Sequence, residues 1–409
     1  MTTPNDTVLT WANSNLQFEA WTKNLPDILI KAGKMSSMFG NRIKEAGSVY
    51  TFKVKVRWNP GIGYVEDGAA FPNAGEQTYV TAKVGMRYLA AKLPITDGVM
   101  FGIDGSGATV VDEATYELQG LTESAAKLQN WMCFGDGTGK VATVKTGSAT
   151  TTLIVDDSRM MWEGGSYDIY DGSTYVETVT VSSKSQTPTS NGWATITLSA
   201  APTNSMVSGY SVVWGGSYNR APSGLRKLID NTATTFQNVN VSTYSNYSSL
   251  VLAPYSSTNP GSLTPQILRK ALSGVKLKTG ADEDVTTLMV SSTPMLSVME
   301  EMYENAIRID TSTTVNGVRI QTFQSALGTL GLMSDTDAPL NSLYIVDTSD
   351  LGVREFRPFG PREGGDLYMR SNDQLKYIST FVGMSQNFIQ KRTTSARIDN
   401  IAIDLAVQT

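Results

Sequence analysis

Two stretches of strict alternation limit what this chain can fold into. From Tyr50 to Trp58, the apolar residues Tyr50, Phe52, Val54, Val56 and Trp58 alternate with Thr51, Lys53, Lys55 and Arg57. From Val80 to Tyr88, Val80, Ala82, Val84, Met86 and Tyr88 alternate with Thr81, Lys83, Gly85 and Arg87. A period of two puts each set on one face of an extended strand, apolar on one side and cationic on the other. The connection from Asn59 to Gly75 is rich in Gly and Pro and too long for a tight turn, which predicts a projecting hairpin. A lone two-stranded ribbon is marginal in water, so its apolar face needs something to lie on. The candidate interface residues are Phe52, Lys53, Val54, Lys55, Val56, Arg57, Trp58, Tyr64, Glu66, Asp67, Phe71, Val84 and Arg87.

Ahead of the ribbon, Leu16, Phe18, Trp21, Leu25, Ile28, Leu29 and Ile30 recur at near-helical spacing, but Pro26 interrupts them, which predicts an extended arm with short helical pieces. After the ribbon, Ala114, Leu118, Leu121, Ala125, Leu128 and Met132 form one helical stripe. Asp112 and Glu113 suit its N-terminal dipole and Gly135 stops it. A helix from Val110 to Phe134 is roughly 36 Å long and can serve as the backbone of a domain. From Val141 to Tyr218, short alternating runs (Thr151–Val155, Glu177–Val181, Trp193–Leu198, Tyr210–Trp214) predict a small all-β barrel or sandwich inserted into the main fold. Beyond Gly224, helices at Thr264–Leu277 and Pro294–Arg308 mix with strands at Val285–Val290, Leu343–Val346, Leu375–Ile389 and Ser395–Ile403, an α+β pattern.

Several chemistries are excluded by what the chain lacks. It has no histidine among its 409 residues, which removes the usual general base and the usual transition-metal ligand. Cys133 is the single cysteine, so no intramolecular disulfide or thiolate cluster can form, and its position between Met132 and Phe134 reads as a buried apolar residue. The formal net charge of −5 gives the whole chain no general attraction to duplex nucleic acid. No stretch approaches the ~20 apolar residues of a membrane span, and no secretory leader is expected. The charged fraction of 17% leaves a largely neutral, polar surface suited to extensive contact with neighbours.

Sharper motifs yield to plainer readings. Gly135-Asp-Gly-Thr-Gly-Lys140 follows a helix, whereas phosphate cradles precede one, so it reads as a helix-ending turn. Asp104 to Glu113 lacks the side-chain oxygen and glycine that a calcium loop requires at its fifth and sixth positions. Glu300, Glu301 and Glu304 read as the wet face of an amphipathic helix around Met299 and Met302. Trp162, Trp193 and Trp214 read as filling of a small barrel, with sugar stacking as the alternative. No catalytic, cofactor-binding or metal-binding residue is assigned. The cations Lys53, Lys55, Arg57, Lys83 and Arg87 are read as facing a neighbour's acidic surface and not nucleic acid.

Taken in order, these parts resemble the tailed-bacteriophage major capsid proteins. The closest local likeness is the long helix ending in Trp131-Met-Cys-Phe-Gly-Asp-Gly-Thr-Gly139, followed by a return at Ala221-Pro-Ser-Gly-Leu225. Many members end this helix in Gly-Asp-Gly and re-enter with Gly-Leu, and here a β-rich insertion separates the two. The resemblance implies an N-terminal arm at 1–46, an extended hairpin loop at 47–95, and a spine helix with the start of a peripheral domain at 96–140. It further implies an inserted domain at 141–220, a return to the peripheral domain at 221–262, an axial domain at 263–370, and final peripheral strands at 371–409. By the same resemblance the hairpin from Tyr50 to Tyr88 is expected to lay its apolar face over an adjacent subunit, the arm before Phe39 to clasp a second neighbour, and the loop Ile309 to Gly317 to be a candidate to line the local symmetry axis. Some members weld neighbours through lysine–asparagine bonds; Lys53, Lys55 and Lys83 lie on the loop arms, but that chemistry is not assigned to them.

The implied function is self-assembly into hexamers and pentamers of an icosahedral head around DNA, built in the host cytoplasm. The implied partners are copies of the chain itself, a portal protein, a separate scaffolding protein where one is needed, a decoration protein on the outer surface, and packaged DNA bound without sequence specificity. No built-in scaffold segment is evident ahead of the arm. Two rivals remain at this stage: another virion component such as a tail tube or tail tip, against which the long central helix argues, and a carboxylate-dependent enzyme acting on polysaccharide, which needs two acids converging in a cleft.

Overall fold

The computed structural model describes residues 34–44, 47, 49–96, 107–147, 149–185, 193–256, 259–279, 287–304, 309–315, 318–325, 328–361, 369–370 and 376–402. The arm ahead of Lys34, the Asp104 turn, and the side chains of Ala114, Leu118, Glu300, Glu301 and Glu304 lie outside what is described. The expected spine helix runs Gly107–Met132, 26 residues, or about 39 Å at the usual rise. Its second half packs Ala125 and Ala126 on Phe359 and Phe381 of a five-stranded sheet, with Leu121, Leu89, Ala91 and Leu93 around them. The sheet centres on Lys376–Ile389, whose 14 residues pair with Leu351–Pro361 and with Arg87–Thr96. Leu351–Pro361 has no counterpart in the sequence reading, because Arg354, Glu355, Arg357, Pro358 and Gly360 break its apolar pattern.

The chain leaves the spine helix and returns to it at one point. Leu225 N donates to Cys133 O at 2.6 Å, and a Cβ at Gly224 would stand 2.4 Å from both Met132 O and Gly135 N. Gly139, at φ +83°, lies against Ser217 O, Trp214 N donates to Gly139 O (3.1 Å), and Asn219 N donates to Thr138 O (2.9 Å). These bonds form a neck. What hangs from it is a closed six-stranded barrel built from Lys140–Thr146, Thr152–Val155, Ser166–Asp171, Thr174–Lys184, Ala194–Leu198 and Ser211–Trp214. Val144, Val155, Tyr167, Ile169, Val181 and Ile196 fill it. Trp162 and Trp214 meet edge-to-face at 5.5 Å and pack on that core, as the plainer reading of these rings expected. A closed barrel exposes no strand edge and can be inserted without inviting unwanted pairing.

Among the described residues, the downstream half holds a seven-stranded sheet ordered Leu250–Leu252, Ala396–Ile398, Leu343–Asp347, Thr287–Ser291, Gly328–Ser334, Val318–Ser325, Ile309–Val315. Helix Pro265–Thr279 buries Leu268, Ala271, Leu272 and Val275, and helix Thr293–Glu304 buries Met295 and Met299, in one core with Leu330, Leu332, Leu343 and Ile345. Ile309–Val315, expected as part of a loop from Ile309 to Gly317, is instead a strand paired with Val318–Ser325. Threonine is β-branched and suits a strand as well as a turn.

A buried polar knot ties these units together. Asn130 Nδ2, on the spine helix, donates to Asp335 Oδ1 (3.1 Å) and Asp337 Oδ2 (2.7 Å), just beyond the strand Gly328–Ser334. Its Oδ1 accepts from the amides of Met35 (3.1 Å) and Ser36 (3.2 Å), which begin the short helix Lys34–Met38. Lys127 pairs with Asp337, and Arg159 of the barrel donates to Thr336 O and, at 3.1 Å, to Ala338 O. Cys133 beside it is buried, its thiol pushed up to about 12 by desolvation, so it is inert at neutral pH.

Gly224→Ala tests the neck. Backbone atoms block the new methyl group, so the substitution should lower unfolding free energy by about 2 kcal/mol or more, read as a drop in denaturant midpoint.

Candidate subunit-interaction surface

The alternation at residues 50–58 and 80–88 produces an antiparallel ribbon, Tyr50–Arg57 against Thr78–Val84, with Phe52 opposite Ala82 and Val54 opposite Val80. The expected single strand from Val80 to Tyr88 breaks after Val84. Gly85 and Met86 turn the chain, and Arg87–Thr96 joins the five-stranded sheet with Tyr88 opposite Met384. Arg87 therefore belongs to the body and not to the ribbon.

The apolar face of the ribbon is occupied by its own chain. Val56, Ala82 and Val84 are buried, and Phe52, Val54 and Val80 pack on the core that includes Cys133, Leu225, Leu228, Val290 and Ile389. Phe388 meets the rings of Tyr50 and Phe52 at 5.4 and 5.8 Å. Lys83 N donates to Gln237 O at 2.8 Å. Arg354, fully buried, donates through Nη1 to Val84 O (3.1 Å) and through Nη2 to Gly47 O, so one guanidinium holds both roots of the ribbon. This corrects the expectation that Phe52, Val54, Val56 and Val84 cover a neighbour. A period of two tells which face is apolar but not whose core it meets.

What remains open is the solvent face of the stem and the whole tip. Lys53, Lys55 and Arg57 are exposed on the outer face, as the alternation expected. A register shift between Lys55 and Arg57 turns Trp58 off the apolar face, leaving it 81% exposed with Lys55 Nζ 4.4 Å from its ring. Ile62, Tyr64, Val65 and Phe71 are also exposed; Ile62 and Phe71 reach 84% and 91%. Glu66 and Asp67 sit at a turn where Ala69 N donates to Glu66 O (3.0 Å) and Gly68 takes φ +79°. The neck of this loop is closed by direct backbone approach, since a Cβ on Gly61 would lie 2.7 Å from Gly75 N.

Among the described residues, the large exposed apolar side chains concentrate here: Trp58, Ile62, Tyr64, Val65, Phe71 and Tyr79 fall within 22 positions, while Val49, Tyr88, Tyr175, Val207, Leu277 and Phe356 lie outside that stretch. Ile62, Val65 and Tyr79 were not among the sequence candidates, although an apolar residue in a Gly- and Pro-rich projection was the available signal. Such a concentration on a projecting loop marks an interaction site. No group of three or more His, Cys, Asp or Glu among the described residues could hold a metal. Two acids that do converge, Asp335 and Asp337, are buried in the knot with Asn130, Lys127 and the Met35 amide, so they do not form the open acidic cleft that the enzyme rival requires.

The family described as SU10 major capsid protein matches residues 203–366, from the end of the barrel through the return to the helix and all of the seven-stranded sheet but Ala396–Ile398. Among solved structures, the capsid asymmetric unit of cyanophage A-1(L) is similar at a TM-score of 0.54 and 12% identity, covering 90% of this chain and 92% of that one. The capsid of a native GTA particle is similar at TM-score 0.47 and 8% identity, covering 90% and 91%. Mycobacterium phage Patience is similar at 0.45 and 9%, covering 99% and 96%. No curated protein matches the chain. The likeness to the cyanophage capsid chain shows a shared α+β fold.

Root and tip should respond differently to truncation. Phe52→Ala should cost about 2–3 kcal/mol of stability, while Phe71→Ala, with nothing folded against it, should change the denaturation midpoint of the unassembled chain by less than about 0.5 kcal/mol equivalent.

Proposed function

We propose that this chain is a tailed-phage major capsid protein that closes into rings of five and six through its ribbon tip, and that these rings tile the head. Shell-forming is a structural role, and the reading assigns the chain no catalysis. The observation that carries the proposal is the tip: a projecting loop with exposed Trp58, Ile62, Tyr64 and Phe71, rigidly rooted in its own subunit and unsupported at its end. A ribbon fixed at one end and apolar at the other is suited to a heterologous contact, in which one copy's projection meets a different surface on the next copy and rotation closes the ring. Burial of apolar area at ~25 cal/mol per Å² drives the contact. Each subunit held by one neighbour then meets the next at high effective concentration, so modest contacts sum to a stable shell without disulfides.

In this reading the spine helix and the five-stranded sheet, which takes in Leu351–Pro361, form the peripheral unit, and the seven-stranded sheet, which takes in Leu250–Leu252 and Ala396–Ile398, forms the axial unit with its two helices, in place of the continuous axial span expected at 263–370. The hairpin of Ile309–Val315 and Val318–Ser325, at the sheet's edge, faces the local symmetry axis. The barrel, joined through one neck and closed on itself, is an appendage available to a decoration protein. The arm ahead of Lys34 clasps a second neighbour from the point where Met35 and Ser36 are tied to Asn130. A portal protein, a scaffolding protein and DNA held without sequence preference complete the set of partners, with assembly in the host cytoplasm before the virion is released.

Deletion of residues 59–75 tests the role of the tip. Negative-stain microscopy of the concentrated full-length chain should show shells or rings of five and six, and the deletion should leave folded, dispersed subunits. Unchanged shells from the deletion variant would refute the role given to the tip.

A further inference from the structure

The ribbon carries its charge in two separate blocks. The stem, Tyr50–Arg57 and Thr78–Val84, holds Lys53, Lys55, Arg57 and Lys83 and no carboxylate. The tip, residues 58–77, holds Glu66, Asp67 and Glu76 and no lysine or arginine. All seven side chains are exposed. Among the described residues, the ion pairs within the chain are made elsewhere, and none includes any of these seven. Lys53, Lys55 and Arg57 alternate along the outer part of Tyr50–Arg57 and Lys83 lies opposite Thr51 near the root, while Glu66 and Asp67 fall at the middle of the loop and Glu76 at its base. Within one subunit the charges are segregated; between subunits they are complementary.

We propose that the acidic tip of one copy seats on the cationic solvent face of the next copy's ribbon stem, so that the ribbons of a ring run tip to stem. This rests on the shell reading above and names the surface of the partner that the tip meets. The apolar chemistry fits as well as the charge. Tyr79, exposed on the stem and opposite Lys55, gives Phe71 and Tyr64 a ring to pack on among the cations. The methylene stems of Lys53, Lys55 and Lys83 cover apolar surface while their ammonium groups meet the carboxylates. The two ends differ, so the contact is directional: it cannot pair two tips or two stems, where like charges would meet. Ordered closure of a ring requires that property.

The test is a charge exchange in the full-length chain. Three variants are compared with the unaltered protein by sedimentation velocity and negative-stain microscopy: a stem reversal (K53E, K55E, K83E), a tip reversal (E66K, D67K, E76K), and the two combined. All these positions face solvent, and circular dichroism confirms that each variant is folded; lysine-to-glutamine and acid-to-amide versions replace any reversal that misfolds. Each single reversal should raise the protein concentration needed for assembly by about tenfold or more, and the combined variant should return to within about threefold of the unaltered chain. Assembly of the unaltered chain should also weaken as salt rises through the range that shortens the Debye length from about 10 to 3 Å. A tip reversal without effect, or a combined variant as impaired as the worse single one, overturns the tip-to-stem contact while leaving the shell reading intact. A stem reversal that assembles normally but no longer co-purifies with DNA also overturns it and gives the cationic face to nucleic acid. An unaltered chain that stays monomeric overturns the shell reading itself.

Discussion

Everything beyond the spine helix depends on one backbone contact. At the helix C-terminus, Gly224 lies so close to Met132 O and Gly135 N that no side chain fits, and Leu225 N donates to Cys133 O. Because the chain returning into the short helix Leu225–Leu228 repairs the helix end it left, the barrel between them adds no break to the core of the body. The buried knot of Asn130, Asp335 and Asp337 acts from the same end of the helix, fixing the short helix Lys34–Met38 at Met35 and the loop after Ser334. Arg159 then fixes the barrel's orientation through Thr336 O and Ala338 O. One helix end thus positions four parts of the molecule.

The ribbon extends this logic outward. Its root belongs to the same core as Cys133 and Leu225, and Arg354 binds both of its feet, so the tip projects from a rigid base. A rigid projection restricts the orientation in which a neighbour can be met, and the entropy of ordering is met during folding instead of during assembly. Among the described residues the exposed apolar side chains concentrate at the tip, while the long faces of the ribbon are buried at home on one side and mostly cationic on the other.

Period and punctuation made much of this legible in the sequence. The alternation of Tyr50–Val56 with Lys53, Lys55 and Arg57 named the two faces correctly, and the i, i+3, i+4 stripe located the spine helix to within three residues of each end. The Gly-Asp-Gly and Gly-Leu pair marked the insertion, for a reason that becomes physical only when Gly224 is seen against Met132 O. Three features resisted. The register shift at Lys55 that exposes Trp58 leaves no mark in composition. Leu351–Pro361 is hidden because Arg354 is buried by hydrogen bonds to carbonyls, a pairing that no local pattern announces. The destination of the ribbon's apolar root was misread because periodicity is a local property, while the choice between its own core and a neighbour's is a tertiary one.

The central claim is that the tip, and not the root, becomes buried when subunits meet. Amide hydrogen exchange, followed by mass spectrometry on peptides from unassembled and assembled chain, measures this directly. Peptides within 58–77, which hold few backbone hydrogen bonds of their own, should exchange rapidly in the free subunit and at least about tenfold more slowly in the shell, with 50–57 and 78–84 already protected in both. Equal exchange across 58–77 in the two states would contradict the account, since a contact that excludes water from Phe71 and Tyr64 must also shield the backbone that carries them.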